Sequence, residues 1–140
     1  MSKIRTIMSK SKGDRRERQA VEIFESAGFY VETPNHVKFS NKDFFNKFDF
    51  MAVHPEFEVV FGQVKSNRPQ GIRAFSSEVA ELFSDEHTRL YYVVCYDGEG
   101  WRLIEIITET GDYTDVVDER DSDANMGVEM EEYLTDLVQD

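Results

Sequence analysis

The chain has 140 residues, 28 acidic against 16 basic, for a formal net charge of −12, so a polyanionic partner is disfavoured unless the basic residues are segregated. The length bounds it to one compact domain plus tails. No apolar run approaches the roughly 20 residues that cross a bilayer, the N-terminus lacks the apolar stretch of a secretory leader, and the single cysteine, Cys95, excludes an internal disulfide. A cytoplasmic protein without membrane contact is expected. Charge is indeed segregated. Glu105 to Asp140 holds 13 acidic residues and one basic one, Arg120, residues 1–104 are neutral overall, and residues 1–18 carry seven basic against two acidic. We therefore divide the chain into a basic arm (1–12), a core (13–108) and an acidic tail (109–140). The arm fits phosphate contact, or simply a solvated terminus. The tail fits solubility in a halophilic, high-salt cytoplasm, competition for the basic arm, or capture of a protein partner.

Residues 14–27 read as a helix, because Ala20, Val21, Phe24 and Ala27 recur at helical spacing, with Gly28 as its stop. Phe29 to Thr33 is a strand halted by Pro34. Residues 35–47 form a polar, basic loop with Lys38, Lys42 and Lys47 and the aromatics Phe39, Phe44 and Phe45. Strands follow at Phe48 to Val53 and Phe57 to Lys65, joined by the turn His54-Pro55-Glu56. A polar link leads to a second helix, Ile72 to Phe83, with Ile72, Phe75, Val79, Leu82 and Phe83 on one face. Arg89 to Tyr96 and Trp101 to Ile107 are strands around the turn Asp97-Gly-Glu-Gly100. Residues 109–127 read as a flexible linker, and 128–139 as a short helix with Met130, Tyr133, Leu134 and Leu137 on one face, suited to docking on the core or on a partner. The expected fold class is α/β (α+β), a central mixed sheet of about five strands flanked by helices.

Three places put polar chemistry where packing asks for apolar groups. Glu17 lies on the apolar stripe of the first helix, whereas Glu22 and Glu25 lie off it. Asp49 falls between Phe48 and Phe50, so strand alternation sets it on the face opposite to both, with Met51 and Val53. Gln63 and Lys65 share a face at the end of their strand, with Phe61 deeper on it and Val64 turned away. Inward charges are costly unless paired. A metal pairs them; so does a structural ion pair between Glu17 and Lys65, although such pairs rarely add net stability. His36, His54 and His87 are too scattered for a zinc site. A nucleophile elbow and a glycine-rich phosphate loop are both missing. Trp101, Tyr91 and Tyr92 read as core and sheet residues.

A glutamate on a helix, then an aspartate, then Gln-x-Lys on the next strand resembles the PD-(D/E)xK nuclease superfamily. Lys12-Gly13, Glu17-Arg18 and Gly28-Phe29 narrow the likeness to the archaeal Holliday-junction resolvases. It spans residues 12 to about 107. Phe48 replaces the motif's proline, and Gln63 replaces its acidic residue, a variant found in Mrr-like nucleases of the superfamily. The resemblance implies a restriction-endonuclease-like core. It also implies a homodimeric Mg²⁺-dependent DNA endonuclease, with Mn²⁺ able to substitute and no small-molecule cofactor, cutting branched DNA in recombination or repair. Glu17, Asp49 and Gln63 are the implied metal ligands and Lys65 the fourth catalytic residue. Candidate DNA contacts are Lys12, Arg15, Arg16, Arg18, Lys38, Ser40, Lys42, Arg68 and Arg73, with His36 a further phosphate candidate. The alternative is a DNA-binding module on a nuclease fold that has weakened or lost catalysis, since an amide oxygen brings a dipole where a carboxylate brings charge.

Overall fold

Helix α1 covers residues 15–26. Ala20 and Phe24 are fully buried along it, while Glu22 and Glu25 are exposed, as the helical period requires. At its end Gly28 adopts φ +101°, and the Phe29 N–H donates to the Phe24 carbonyl at 3.1 Å, satisfying a last-turn acceptor. The computed structural model describes residues 15–34, 44–83 and 87–139, so the basic arm lies outside the described residues.

Strand β1 (Tyr30–Glu32) pairs antiparallel with β2 (Phe50–His54), and β2 with β3 (Phe57–Ser66). Helix α2 (Ile72–Leu82) carries the chain to β4 (Thr88–Tyr96), which runs parallel to β3 with Gln63 beside Tyr92 and Lys65 beside Val94. Strands β5 (Gly100–Ile107) and β6 (Asp112–Asp118) continue antiparallel, and α3 (Val128–Gln139) follows. The result is an α+β domain with one six-stranded mixed sheet, in chain order, and three helices among the described residues. None of the helices described is long and apolar enough to cross a membrane.

Period-two alternation along the strands sorts their side chains into two cores. On one face Ala20 and Phe24 of α1 and Met130 and Leu134 of α3 pack with Phe50, Val60, Val64, Tyr91, Val93 and Leu103. On the other, Ile72 and Val79 of α2 pack with Phe61, Leu90, Tyr92, Val94 and Ile104. The Phe50 ring covers Gly62 so closely that a Cβ there would overlap it. Cys95 is buried, as expected of a small hydrophobe.

Two expectations need correction. Phe48 does not share the face of Phe50: it joins the α2-side core, because alternation begins only where β2 begins. Phe48 instead closes a hairpin with Phe44, exchanging backbone hydrogen bonds with it at 2.9 and 3.0 Å. The boundary at 108 also fails. The segment read as a linker contains β6, the sixth strand, and α3 buries Met130 and Leu134 completely. The acidic tail therefore belongs to the same fold, with Val117, Met130 and Leu134 in the α1-side core.

Glu119 explains how so acidic a segment docks. It is 3 % exposed. Its Oε1 accepts the N–H groups of Trp101 at 2.9 Å and Gly127 at 2.8 Å, and its Oε2 accepts that of Met130 at 3.0 Å. One carboxylate thus ties the start of β5 to the entry of α3. Replacing it strands three buried donors, each costing about 1–3 kcal/mol. Glu119→Ala is expected to lower the unfolding free energy by about 3 kcal/mol or more in urea titrations, and Glu119→Gln, which keeps one acceptor oxygen, by less.

Candidate active site

Asp49 stands one residue before β2, where the regular ladder has not yet started. Its N–H donates to the Gly62 carbonyl at 2.8 Å, and its Oδ2 accepts the Val64 N–H at 2.7 Å. Strand N–H groups lie in the plane of the sheet. The carboxylate therefore occupies the place that a further β2 carbonyl would take, and is held against β3 between Gln63 and Lys65. Asp49 is 7 % exposed.

Gln63 and Lys65 alternate with Val64, which packs in the α1-side core, so both project on the α2 side with Phe61. Gln63 is 9 % exposed, and its Oε1 is buried with no hydrogen-bond partner among the described residues. Such an orphan acceptor costs about 1–3 kcal/mol. Next to it Tyr92 donates its hydroxyl to the Gln70 carbonyl at 2.6 Å. Burial first, and the negative charge of Asp49 second, push the Tyr92 hydroxyl up to about 12.

Glu17 approaches from the other side of the sheet. It is partly buried, three residues before Ala20 on α1. Its neighbour Arg16 pairs with Asp97 in the β4–β5 turn and donates to Gln19 at 2.9 Å. The fold thus brings Asp49, Gln63 and Lys65 together by strand pairing, and brings the first turn of α1 to the same end of the sheet through Arg16.

The donor set fits a hard divalent cation: an anchored carboxylate beside an unused amide oxygen. Among the described residues no group of three or more His, Cys, Asp or Glu converges.

The expected DNA contacts divide. Arg15, Arg18, Arg68 and Arg73 are exposed, and Arg68 donates to Gln70 at 3.4 Å. Arg16 differs from expectation: its guanidinium is engaged within the fold. Lys12, His36, Lys38, Ser40 and Lys42 lie outside the described residues. Tyr92 is a core and sheet residue, as expected, whereas sequence reasoning missed Asn67, which combines φ +65° with two side-chain bonds to Asp97. A polar residue directly after a strand end was the available signal for Asn67.

Compared with known proteins, the chain matches no family model and no curated sequence.

Two substitutions separate the structural role of Asp49 from its charge. Asp49→Asn keeps an acceptor for the Val64 N–H and should leave stability nearly unchanged. Asp49→Ala should lose about 1–3 kcal/mol in urea unfolding. In both, Tyr92 should titrate below the native value of about 12 by ultraviolet absorbance. The sign for stability follows: Tyr92 holds its proton more tightly folded than unfolded. Its contribution is fully present below about pH 10 and is lost as pH rises through about 12.

Proposed function

We propose that this chain is a metal-dependent DNA endonuclease of the PD-(D/E)xK type that hydrolyses phosphodiester bonds in branched, Holliday-junction-like DNA during recombination or repair, and acts as a homodimer. The observation that carries the reading is a Gln63 Oε1 without a hydrogen-bond partner among the described residues, on the strand whose next residue, Val64, fixes the Asp49 carboxylate through its N–H. A mixed sheet with helices on both faces is compatible with a restriction-endonuclease-like core.

Asp49, Gln63 and Glu17 are the residues that would hold Mg²⁺ or Mn²⁺. When bound there, such an ion would supply Lewis-acid polarisation of a phosphate oxygen and a more acidic water. Lys65 sets its ammonium two residues beyond Gln63 on the same face, where it stabilises the charge that grows on the phosphoryl oxygens. Asp49 enters this chemistry already oriented, since one of its oxygens is spent on the backbone. Tyr92 holds Gln70, and with it the connection that carries Arg68. Exposed Arg68 and Arg73 then lie beyond Lys65 in the chain, as guanidinium contacts for the DNA backbone.

The second reading, DNA binding without cleavage, is favoured by Gln63 alone: a neutral donor leaves the site one negative charge short. The test is incubation of purified protein with junction, flap and linear DNA in Mg²⁺ or Mn²⁺, at low and high salt. Wild type should cleave the junction, and Lys65→Ala should be slower by about 10²–10³-fold with DNA binding retained. Binding without cleavage in all conditions selects the second reading; neither binding nor cleavage removes both.

Gln63→Glu probes the same point from the other side. It places a second carboxylate beside Asp49, so the metal-free protein should melt at lower temperature through like-charge repulsion. Added Mn²⁺ should then raise its melting temperature more than it raises that of wild type.

A further inference from the structure

Helix α1 and strand β3 reach the same end of the sheet from different sides, and a short line of polar contacts joins them. Asp97 opens the β4–β5 turn. Its Oδ1 receives the Arg16 guanidinium and its Oδ2 the Asn67 Nδ2 at 3.1 Å, while its own N–H donates to Asn67 Oδ1 at 2.9 Å. Asn67 is locked in turn by its N–H to the Cys95 carbonyl at 2.8 Å and by its left-handed φ of +65°. Arg16 precedes Glu17, and Asn67 follows Lys65 by two residues.

We infer that Arg16, Asp97 and Asn67 form a positioning relay that sets Glu17 in register with Asp49, Gln63 and Lys65, and so completes the cation site. This rests on the metal-site reading above. The apolar contacts of Ala20 and Phe24 hold α1 at its distance from the sheet, but dispersion and burial are non-directional. A slip of one residue moves a helical side chain by 1.5 Å along the axis and about 100° around it, which is enough to remove a metal ligand. The relay is the directional element at the end of the helix that carries Glu17. The pair is also suited to alignment more than to stability. The Asp97 side chain is 45 % exposed and that of Arg16 12 %, so solvent screens the pair from the Asp97 side and limits what it adds to folding. Partners that orient a ligand without touching the metal are worth about 10–100-fold in metal affinity.

The test is Mn²⁺ titration of the full chain without DNA, by electron paramagnetic resonance, alongside thermal unfolding. Asp97→Ala and Arg16→Met are expected to weaken Mn²⁺ binding about 10-fold or more with melting temperatures near that of wild type. Each combined with Glu17→Gln should be no weaker than Glu17→Gln alone, because relay and ligand act as one unit. Wild-type affinity in both relay variants, or losses that add to that of Glu17→Gln, overturns the relay and leaves the metal site standing. Undiminished binding by Glu17→Gln also overturns it, since there is then no ligand to position. Failure of wild type to bind Mn²⁺ overturns the metal site itself, and the relay with it.

Discussion

The hydrogen bond from the Val64 N–H to Asp49 Oδ2 is the contact around which the candidate site is arranged. It replaces one rung of the β2–β3 ladder with a carboxylate. The strand edge is thereby satisfied, and a negative charge is anchored in the plane of the sheet instead of on either face. Everything chemical nearby follows from that placement. Gln63 and Lys65 flank the donor peptide and share one side of β3, Tyr92 feels the charge through the parallel pairing with β4, and the end of α1 approaches from the opposite side. A carboxylate free to rotate on a loop would define no fixed position between these groups.

The same device recurs at Glu119, with a structural outcome. Both are buried carboxylates that accept backbone N–H groups. Glu119 spends both oxygens on three donors and holds β5, β6 and α3 together. Asp49 accepts the Val64 N–H with one oxygen, and lies against the strand that carries Gln63, whose Oε1 has no hydrogen-bond partner among the described residues. Three backbone donors on one carboxylate make Glu119 a joint of the fold.

Much of this was legible in the sequence. The period-two reading of β3 placed Gln63 and Lys65 together and Val64 apart, and helical spacing separated Glu17 from Glu22 and Glu25. Alternation failed at Phe48 because Phe48 pairs with Phe44 in a separate bridge, and the regular β2–β3 register starts only at Phe50. Strand β6 was hidden by its own chemistry. It is an edge strand with Val117 buried and Asp112, Asp115 and Asp118 exposed, and charges on an edge keep foreign strands from adding to it. Such a segment reads as solvated linker until its partner is known. Asp115 in fact binds Arg102 at 2.9 and 3.2 Å. Arg16 escaped for a related reason. Its partner Asp97 is 81 residues away, and no local pattern links a helix start to a distant turn.

The central claim is that the Asp49 carboxylate and the Gln63 amide oxygen share a divalent cation. Anomalous diffraction from crystals soaked in Mn²⁺ tests it directly. The expected result is a peak within about 2.2–2.4 Å of an Asp49 oxygen and of Gln63 Oε1, lost in Asp49→Asn crystals. A peak elsewhere, or Gln63 Oε1 found bonded to a protein donor with no ion beside it, would contradict it.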